Sequence, residues 1–405
     1  MKHGDRPVRL AVVGGRRGAA FHAALEAMPE RVALAAVCEY NEEYLAQWKE
    51  KYPEIRTYTE YSRLLEDPGV DAVLLATPLL LHARQAIEAL QAGKHVLSEV
   101  IAAHTLEECR ELVETVESTG LTYMMAENYC FMRQNQMVLN MAQQGTFGEI
   151  TFAEGGYLHD CRRLTLQPDG RLAWRGELQR DYNGMNYPTH SLGPVAQWLG
   201  IGQTDELETL STFTSRAGSM AGYVREQFGD AHPGADPFYW KQGDTAVTLI
   251  RTRNGAVISL RVDWVSGRPH QMTHYGLQGT RGAYVSERRQ GEEPLVWLAG
   301  RSPGASPGRE GDLEPEWEPL SAYRAEFEHP RWKRWGDEAD RTGHGGGDFF
   351  VIEEFVSAVR EGRRPAIDVY DAVRWSSVFP LSMQSVVKGG QPIPFPRFDV
   401  SRPTS

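Results

Sequence analysis

Long apolar runs, paired cysteines and any surplus of positive charge are missing from this sequence. No stretch approaches the roughly 18 apolar residues that a membrane-spanning helix requires, so no membrane contact is expected. The four cysteines, Cys38, Cys109, Cys130 and Cys161, form no C-x-x-C pair and have no histidines at zinc-ligand spacing. Buried reduced thiols are therefore expected, with neither a disulfide framework nor a metal. The formal net charge is -11, from 43 Lys and Arg against 54 Asp and Glu. A phosphate backbone attracts the opposite sign and no basic cluster offsets it, which excludes nucleic acid as a partner. The opening, "MKHGDRPVRLAVVGG", passes from a short polar start into a strand, and the cytoplasm is the expected location.

What is present is a chain of 405 residues, 41% hydrophobic and 24% charged, longer than one hydrophobic core usually sustains, so two globular domains are expected. Residues 8–14, 32–39, 71–78, 94–100 and 121–128 read as strands buried on both faces. Stretches such as "NEEYLAQWKEKYP" and "TLEECRELVETVESTG" between them have apolar residues at helical spacing. That alternation predicts βαβ units and a doubly wound parallel sheet over residues 1–130.

Beyond residue 130 the rhythm changes. A helix over about 132–144, a polar Arg-rich loop over 160–184, and a helix starting at Pro188 precede longer strands, "TAVTLIRT" and "AVISLRVDW", joined by a hairpin-like "RNG". Residues 131–405 thus read as an α+β domain on a mostly antiparallel open sheet, with the last helices free to pack back on the first domain. Residues 300–346 read as one long loop near the site, and 348–361 and 370–388 as two amphipathic helices.

The first strand enters "GGRRGAAFH". Against G-x-G-x-x-G/A, counting from Gly14 puts Arg16 at the middle glycine and Ala19 at the third; a shifted alignment uses Gly15 and Gly18. Gly14, Arg16 and Arg17 are the candidates for this turn. Glu39 ends the second strand, where a carboxylate accepts from a ribose diol and repels a 2′-phosphate, so NAD is the expected cofactor. Thr77 and His82 in "ATPLLLH", with Glu99 of "KHVLSEV", complete a set of features at the carboxyl edge of the sheet.

The order "AVVGG…GAAFH", "ATPLLLH", "AGKHVLSE" resembles the Gfo/Idh/MocA oxidoreductases, a Rossmann domain followed by an α/β substrate domain. "ENYCFMRQNQMVLNMAQQGTFGEI", "GGYLHD", "NYPTHSLGPVAQWLGI", "QGTRG" and "GHGGGDFF" are similar to the NAD-dependent glycosidases of glycoside hydrolase family 109, whose archetype is an α-N-acetylgalactosaminidase. That group has Glu-Val where dehydrogenases of the superfamily have Glu-Lys, so Glu99-Val100 fits its pattern and Val100 becomes cofactor-packing surface.

The resemblance implies a cycle in which NAD+ oxidises a sugar at C3, a base removes the acidified C2 proton, the aglycone leaves C1 by elimination, water adds and the hydride returns. His190, in the first turn after Pro188, is the expected base, because a helix N-terminus disfavours the imidazolium. Tyr187, extended before the proline, is the second catalytic candidate and also a sugar contact; His190 doubles as a cofactor contact. By resemblance Asn128 touches the cofactor, Tyr157 and Arg175 touch the sugar, and either His270 or Tyr275 stands for the family's substrate tyrosine. His159, Asp160, His344 and Asp348 lie in the same motifs without an assigned role.

The expected substrate is an intracellular carbohydrate, handled by a homodimer or homotetramer. Two other readings stay open: a sugar or cyclitol dehydrogenase releasing NADH, and a sugar-sensing protein without turnover.

Overall fold

The computed structural model describes residues 6–289, 291–304 and 314–398, which form two compact units. One takes in the chain up to Arg133, Pro330–Ser377 and the stretch from Arg397; the other is Gln134–His329 with Val378–Pro396. All four cysteines are free and buried.

In the first unit, β1 (Val8–Val13), β2 (Val32–Cys38), β3 (Arg56–Tyr58), β4 (Ala72–Leu75), β5 (His95–Ser98) and β6 (Tyr123–Met125) form a parallel sheet in the order β3-β2-β1-β4-β5-β6. Every residue of β4 is buried, as a central strand covered on both faces must be. The order reverses between β1 and β4, and ligands of such sheets bind beyond the carboxyl ends of the strands at that point. Asn41 caps helix Glu42–Lys51, and Thr105 with Glu108 forms a capping box on helix Leu106–Thr119, which ends on Gly120 at φ 65.

The second unit is built on β7 (Ile150–Leu158), β8 (Leu207–Thr214), β9 (Thr245–Thr252), β10 (Val257–Asp263), β11 (Gln271–Gly279), β12 (Gly282–Val285), β13 (Leu295–Leu298), β14 (Glu318–Pro319) and β15 (Ile393–Pro394). Their order is β14-β13-β12-β11-β7-β10-β9-β8-β15. Among the strands of the described residues only β7 and β10 pair in parallel; the other pairs are antiparallel. Helices Thr189–Trp198 and Val378–Val387 pack on β7 and β8, while Phe213, Val247, Leu249, Val257 and Val285 are exposed on the sheet.

Four expectations need correction. The 160–184 loop contains a helix, Trp174–Asp181. Of the 300–346 loop, residues 305–313 lie outside the described residues, and the rest holds β14 and the helices Arg324–Phe327 and Pro330–Ala339. The helix expected over 370–388 is two, Val369–Ser376 and Val378–Val387. Pro380 sits in the first turn of the second, where its missing N–H costs nothing. Helix Gly347–Glu361 is buried almost all round rather than amphipathic. It tolerates its charges because Glu354 is met by Arg331 at 2.6 Å and Arg363 at 2.6 Å.

No helix among the described residues is long and apolar enough to cross a membrane.

Candidate active site

In the second unit the site begins with a missing side chain. A methyl group on Gly155 would lie 1.9 Å from the carbonyl oxygen of Ser191, so glycine there lets the first turn of helix Thr189–Trp198 sit directly on β7. Tyr157, two residues along β7, therefore meets the helix start, with its ring 4.9 Å from that of His190. Tyr187, just before Pro188, stands 5.1 Å from His190 and 5.5 Å from Tyr157 between ring centres. His190 is the second residue of the helix, and both it and Tyr187 are buried.

Strand register adds the remaining members. Leu158 pairs with Asp263 of β10 and with Gln271 of β11, so the residues just beyond these positions converge. Trp264 follows Asp263 and packs 4.9 Å from Tyr187. His270 precedes Gln271 and stacks on His159 at 3.9 Å and 20°; its ring lies 6.1 Å from Tyr157. Arg175, on helix Trp174–Asp181, places its guanidinium 4.1 Å over Trp174 and 5.8 Å from Trp264.

The polar accounting is unusual here. Arg175 has no carboxylate partner among the described residues. Its Nε, Trp264 Nε1, Asn186 Nδ2 and Thr189 Oγ1 are buried and have no hydrogen-bond partner among the described residues. Native chains leave few such groups, and several in one neighbourhood need an explanation. Burial lowers the His159 imidazole below its ordinary value, and the charges of Arg175 and Arg163 add to that, against a backbone bond from Asp160. Burial raises the neighbouring Cys161 thiol to about 11.

Five of the residues singled out from sequence in this unit, Tyr157, Arg175, Tyr187, His190 and His270, are thus brought together. Tyr275 lies behind them: it is 2% exposed, its ring packs against Trp198 and its hydroxyl donates to the His190 carbonyl at 2.5 Å. Sequence reasoning missed Trp174 and Trp264. The only signal for them was adjacency, to Arg175 and to the end of a strand.

In the first unit, Gly14 has φ +91, and a Cβ there would meet the Ala76 carbonyl oxygen at 2.5 Å. A Cβ on Gly18 would lie 2.2 Å from Val12, so Gly18 performs the helix-to-strand packing of the third fingerprint glycine and the shifted alignment is the structural one. Glu39 is buried; its carboxylate accepts from the Asn41 amide at 3.0 Å and the Arg16 amide at 3.4 Å. Arg17 pairs with Glu99 at 2.6 Å. The Thr77 hydroxyl bonds Gln85, and Val100 is 2% exposed. His82 is fully buried with Nδ1 on the Ile101 carbonyl and Nε2 on the Thr77 carbonyl; a neutral ring donates to one at a time.

The glycine run after His344 closes a further network. His344 itself is left-handed at φ 50, followed by Gly345 and Gly346. A Cβ on Gly347 would strike the Asn128 carbonyl oxygen at 2.4 Å. This tight course sets Asp348 against His344 Nδ1 at 2.9 Å and Asn128 Nδ2 at 2.8 Å. Burial opposes the charged form of each, but their pairing raises His344 and lowers Asp348 relative to ordinary values. Asn128 Oδ1 is buried without a partner among the described residues.

Comparison with known proteins extends this geometry. The family model described as an oxidoreductase family, NAD-binding Rossmann fold, matches residues 8–127, and that described as glycosyl hydrolase 109, C-terminal domain, matches residues 131–403. A glycosyl hydrolase family 109 protein of Stenotrophomonas maltophilia is 34% identical, over 97% of this chain and 89% of the relative. Another, from Solibacter usitatus, is 34% identical over 96% and 88%. Among solved structures, a levoglucosan dehydrogenase complexed with NADH and levoglucosan superposes with a TM-score of 0.73 at 22% identity, covering 97% of this chain and 100% of that one. An inositol dehydrogenase homolog from Azotobacter vinelandii, complexed with NADH and myo-inositol, gives 0.70 at 18%, covering 96% and 98%. At these identities the two structures are similar in fold.

Proposed function

Because the chain belongs to glycosyl hydrolase family 109 and opens with an NAD-binding Rossmann domain of the Gfo/Idh/MocA superfamily, we propose that it is an NAD-dependent glycosidase working by transient oxidation of its sugar. The observation that carries this reading is the cluster of Tyr157, Tyr187 and His190, with ring centres 4.9 to 5.5 Å apart, beside an Arg175 that no carboxylate among the described residues neutralises.

The first unit fits the dinucleotide. Gly14 leaves space where a side chain would collide with Ala76, Glu39 offers a carboxylate to a ribose diol, and Asn128 Oδ1 is a buried acceptor awaiting a donor. Arg16, Arg17, Thr77, Glu99 and Val100 complete the proposed cofactor surface, with His82 holding the turn from behind through Thr77 and Ile101. Bound NAD+ would supply a hydride acceptor at sugar C3 and return the hydride at the end of the cycle.

The residues of the second unit do the proton work. His190 and Tyr187 share removal of the C3 hydroxyl proton and of the C2 proton, two neighbouring positions matched by two neighbouring rings. Arg175 presents its planar donors to sugar hydroxyl or N-acyl oxygens. Its seat over Trp174 fixes the fork before substrate arrives. Tyr157 and His270 line the sugar's position, and Tyr275 acts through His190 as a positioning residue. Val100 provides no proton-transfer group, which favours the glycosidase over a net sugar or cyclitol dehydrogenase.

The test is isotopic. A glycoside cleaved without stoichiometric added NAD+ should, in D2O, release a sugar labelled at C2, because solvent returns the proton that the base removed. Stoichiometric NADH with oxidised sugar would point instead to a dehydrogenase. Cleavage with C2 unlabelled would refute the mechanism, since an oxocarbenium route exchanges no carbon-bound proton.

The reading includes a cytoplasmic location, in keeping with four free thiols, and a homo-oligomer. The open sheet face carries Leu249 and Phe213 beside Arg251, Arg261 and Glu154, both signs around apolar side chains, as a two-fold contact with a second copy requires. Sedimentation of Leu249→Arg as a smaller species would support that, and an unchanged monomeric wild type would end it.

A further inference from the structure

One cavity of the second unit shares only His270 with the residues given to this chemistry. It has a volume of about 230 Å³ and is lined by His159, Arg162, Arg163, Tyr223, Arg268 and His270, with Asp160 as its single acid. That is below the about 300 to 1,000 Å³ typical of a whole small-molecule site, so it suits one substituent rather than a complete substrate.

Its charges do not balance. Arg162 takes both oxygens of Asp160, at 2.9 Å and 2.7 Å, which uses the only carboxylate. Arg163 has no carboxylate partner among the described residues. The partners of Arg268 are neutral, the Pro269 carbonyl at 3.4 Å and Gln271 Oε1 at 3.1 Å. Among the described residues, two guanidinium groups thus face the cavity without a carboxylate partner. His159 registers one of the two: its pKa is lowered by burial first, against a backbone bond from Asp160, and then by the charges of Arg175 outside the cavity and Arg163 within it.

The cavity also adjoins the reaction site. His159 and His270, stacked at 3.9 Å, line it and are 5.8 Å and 6.1 Å from Tyr157, whose other ring neighbours are His190 at 4.9 Å and Tyr187 at 5.5 Å. A group in the cavity is one ring removed from the proposed base.

We infer that this cavity is a subsite for an oxyanion carried by the sugar substrate, a carboxylate or a sulfate or phosphate ester, bound by Arg163 and Arg268. The inference rests on the reading of the Tyr157 and His190 cluster as the sugar site and narrows its substrate class to acidic glycosides. Arginine suits the task because its planar fork matches two oxygens of one anion.

The test measures binding on the NAD+-loaded protein by calorimetry, so it does not need turnover. Glucuronate and galacturonate form one arm, glucose 6-phosphate and galactose 6-sulfate a second, glucose and galactose the neutral reference, and inorganic phosphate and sulfate a fourth. Acidic sugars of at least one arm should bind about tenfold or more tightly than their neutral parents at low salt, with the advantage shrinking as salt screens the charges. The arm that wins identifies the anion. Arg163→Gln and Arg268→Gln should each remove most of the preference while leaving neutral sugars unchanged. Arg163 is exposed and Arg268 half-buried, so neither change empties the core; Arg268→Lys should restore part of the effect.

Equal affinity for acidic and neutral sugars would overturn the subsite, as would a preference that survives both variants. Inorganic anions binding as tightly as the acidic sugars would mark an adventitious ion only and overturn it too. The glycosidase reading fails separately, through absence of C2 exchange with every glycoside whatever its charge.

Discussion

The hydroxyl of Tyr275 donates a 2.5 Å hydrogen bond to the main-chain carbonyl of His190. Tyr275 comes from β11 and is 2% exposed, so this bond ties the first turn of the His190 helix to the sheet from inside the core. His190→Ala and Tyr187→Phe should each lower turnover by about 10² to 10⁴, the usual worth of a positioned acid or base. Tyr275→Phe keeps the ring against Trp198 but frees the carbonyl, and should lower kcat by about tenfold with KM changed less than about threefold. A Tyr275→Phe/His190→Ala double variant should be no slower than His190→Ala alone. Additive losses in steady-state kinetics would show that Tyr275 does not act through His190.

Gly155 is the second support of that turn. Gly155→Ala should destabilise the protein by about 1 to 3 kcal/mol or more, as overpacking against a carbonyl does, and lower kcat in the molecules that remain folded. Gly222→Ala is the control: it lies in helix Ser219–Phe228 with nothing within 4 Å of its Cβ, and should stabilise by about 0.5 to 1 kcal/mol. Urea unfolding of the two variants checks both signs; equal effects would remove the close approach as an explanation.

A cofactor that is recycled need not leave. Protein purified without added nucleotide and then denatured should yield roughly one NAD(H) per chain. Glu39→Ala should weaken NAD+ binding by about tenfold, as loss of a charged acceptor to the ribose does, while affecting NADP+ less. An empty extract together with weak NAD+ binding by calorimetry would favour the dissociating dehydrogenase.

The pairing of His344 with Asp348 makes stability depend on pH, with a sign that follows from the direction of each shift. His344 is raised from its ordinary 6.5, so its contribution is complete below that value and is lost as pH rises through the folded pKa. Asp348 is lowered from 3.8, so its contribution is present above that value and is lost as pH falls through its folded pKa. Thermal melts from about pH 5 to about pH 9 should decline on the alkaline side in the wild type and more weakly in Asp348→Asn. An NMR titration placing His344 at or below its ordinary value would contradict the pairing.

Local patterning was enough to dictate the first sheet. Apolar runs such as "VRLAVV" and "AVLL" separated by amphipathic helices leave a parallel, doubly covered sheet as the way to bury them, and Glu39 and the glycine turn follow at its carboxyl edge. β3 escaped notice because three residues, only partly buried, carry too little periodicity. The start of the His190 helix was legible too, since Pro188 acts locally. Which side chains surround it was not. That depends on Gly155 admitting the helix, and on a register that sets Leu158 beside both Asp263 and Gln271, more than a hundred residues away along the chain. Non-local pairing of this kind has no local period to betray it, so Trp264, the stack of His159 on His270, and the unmatched charges of Arg163 and Arg268 became visible only once the strands were paired.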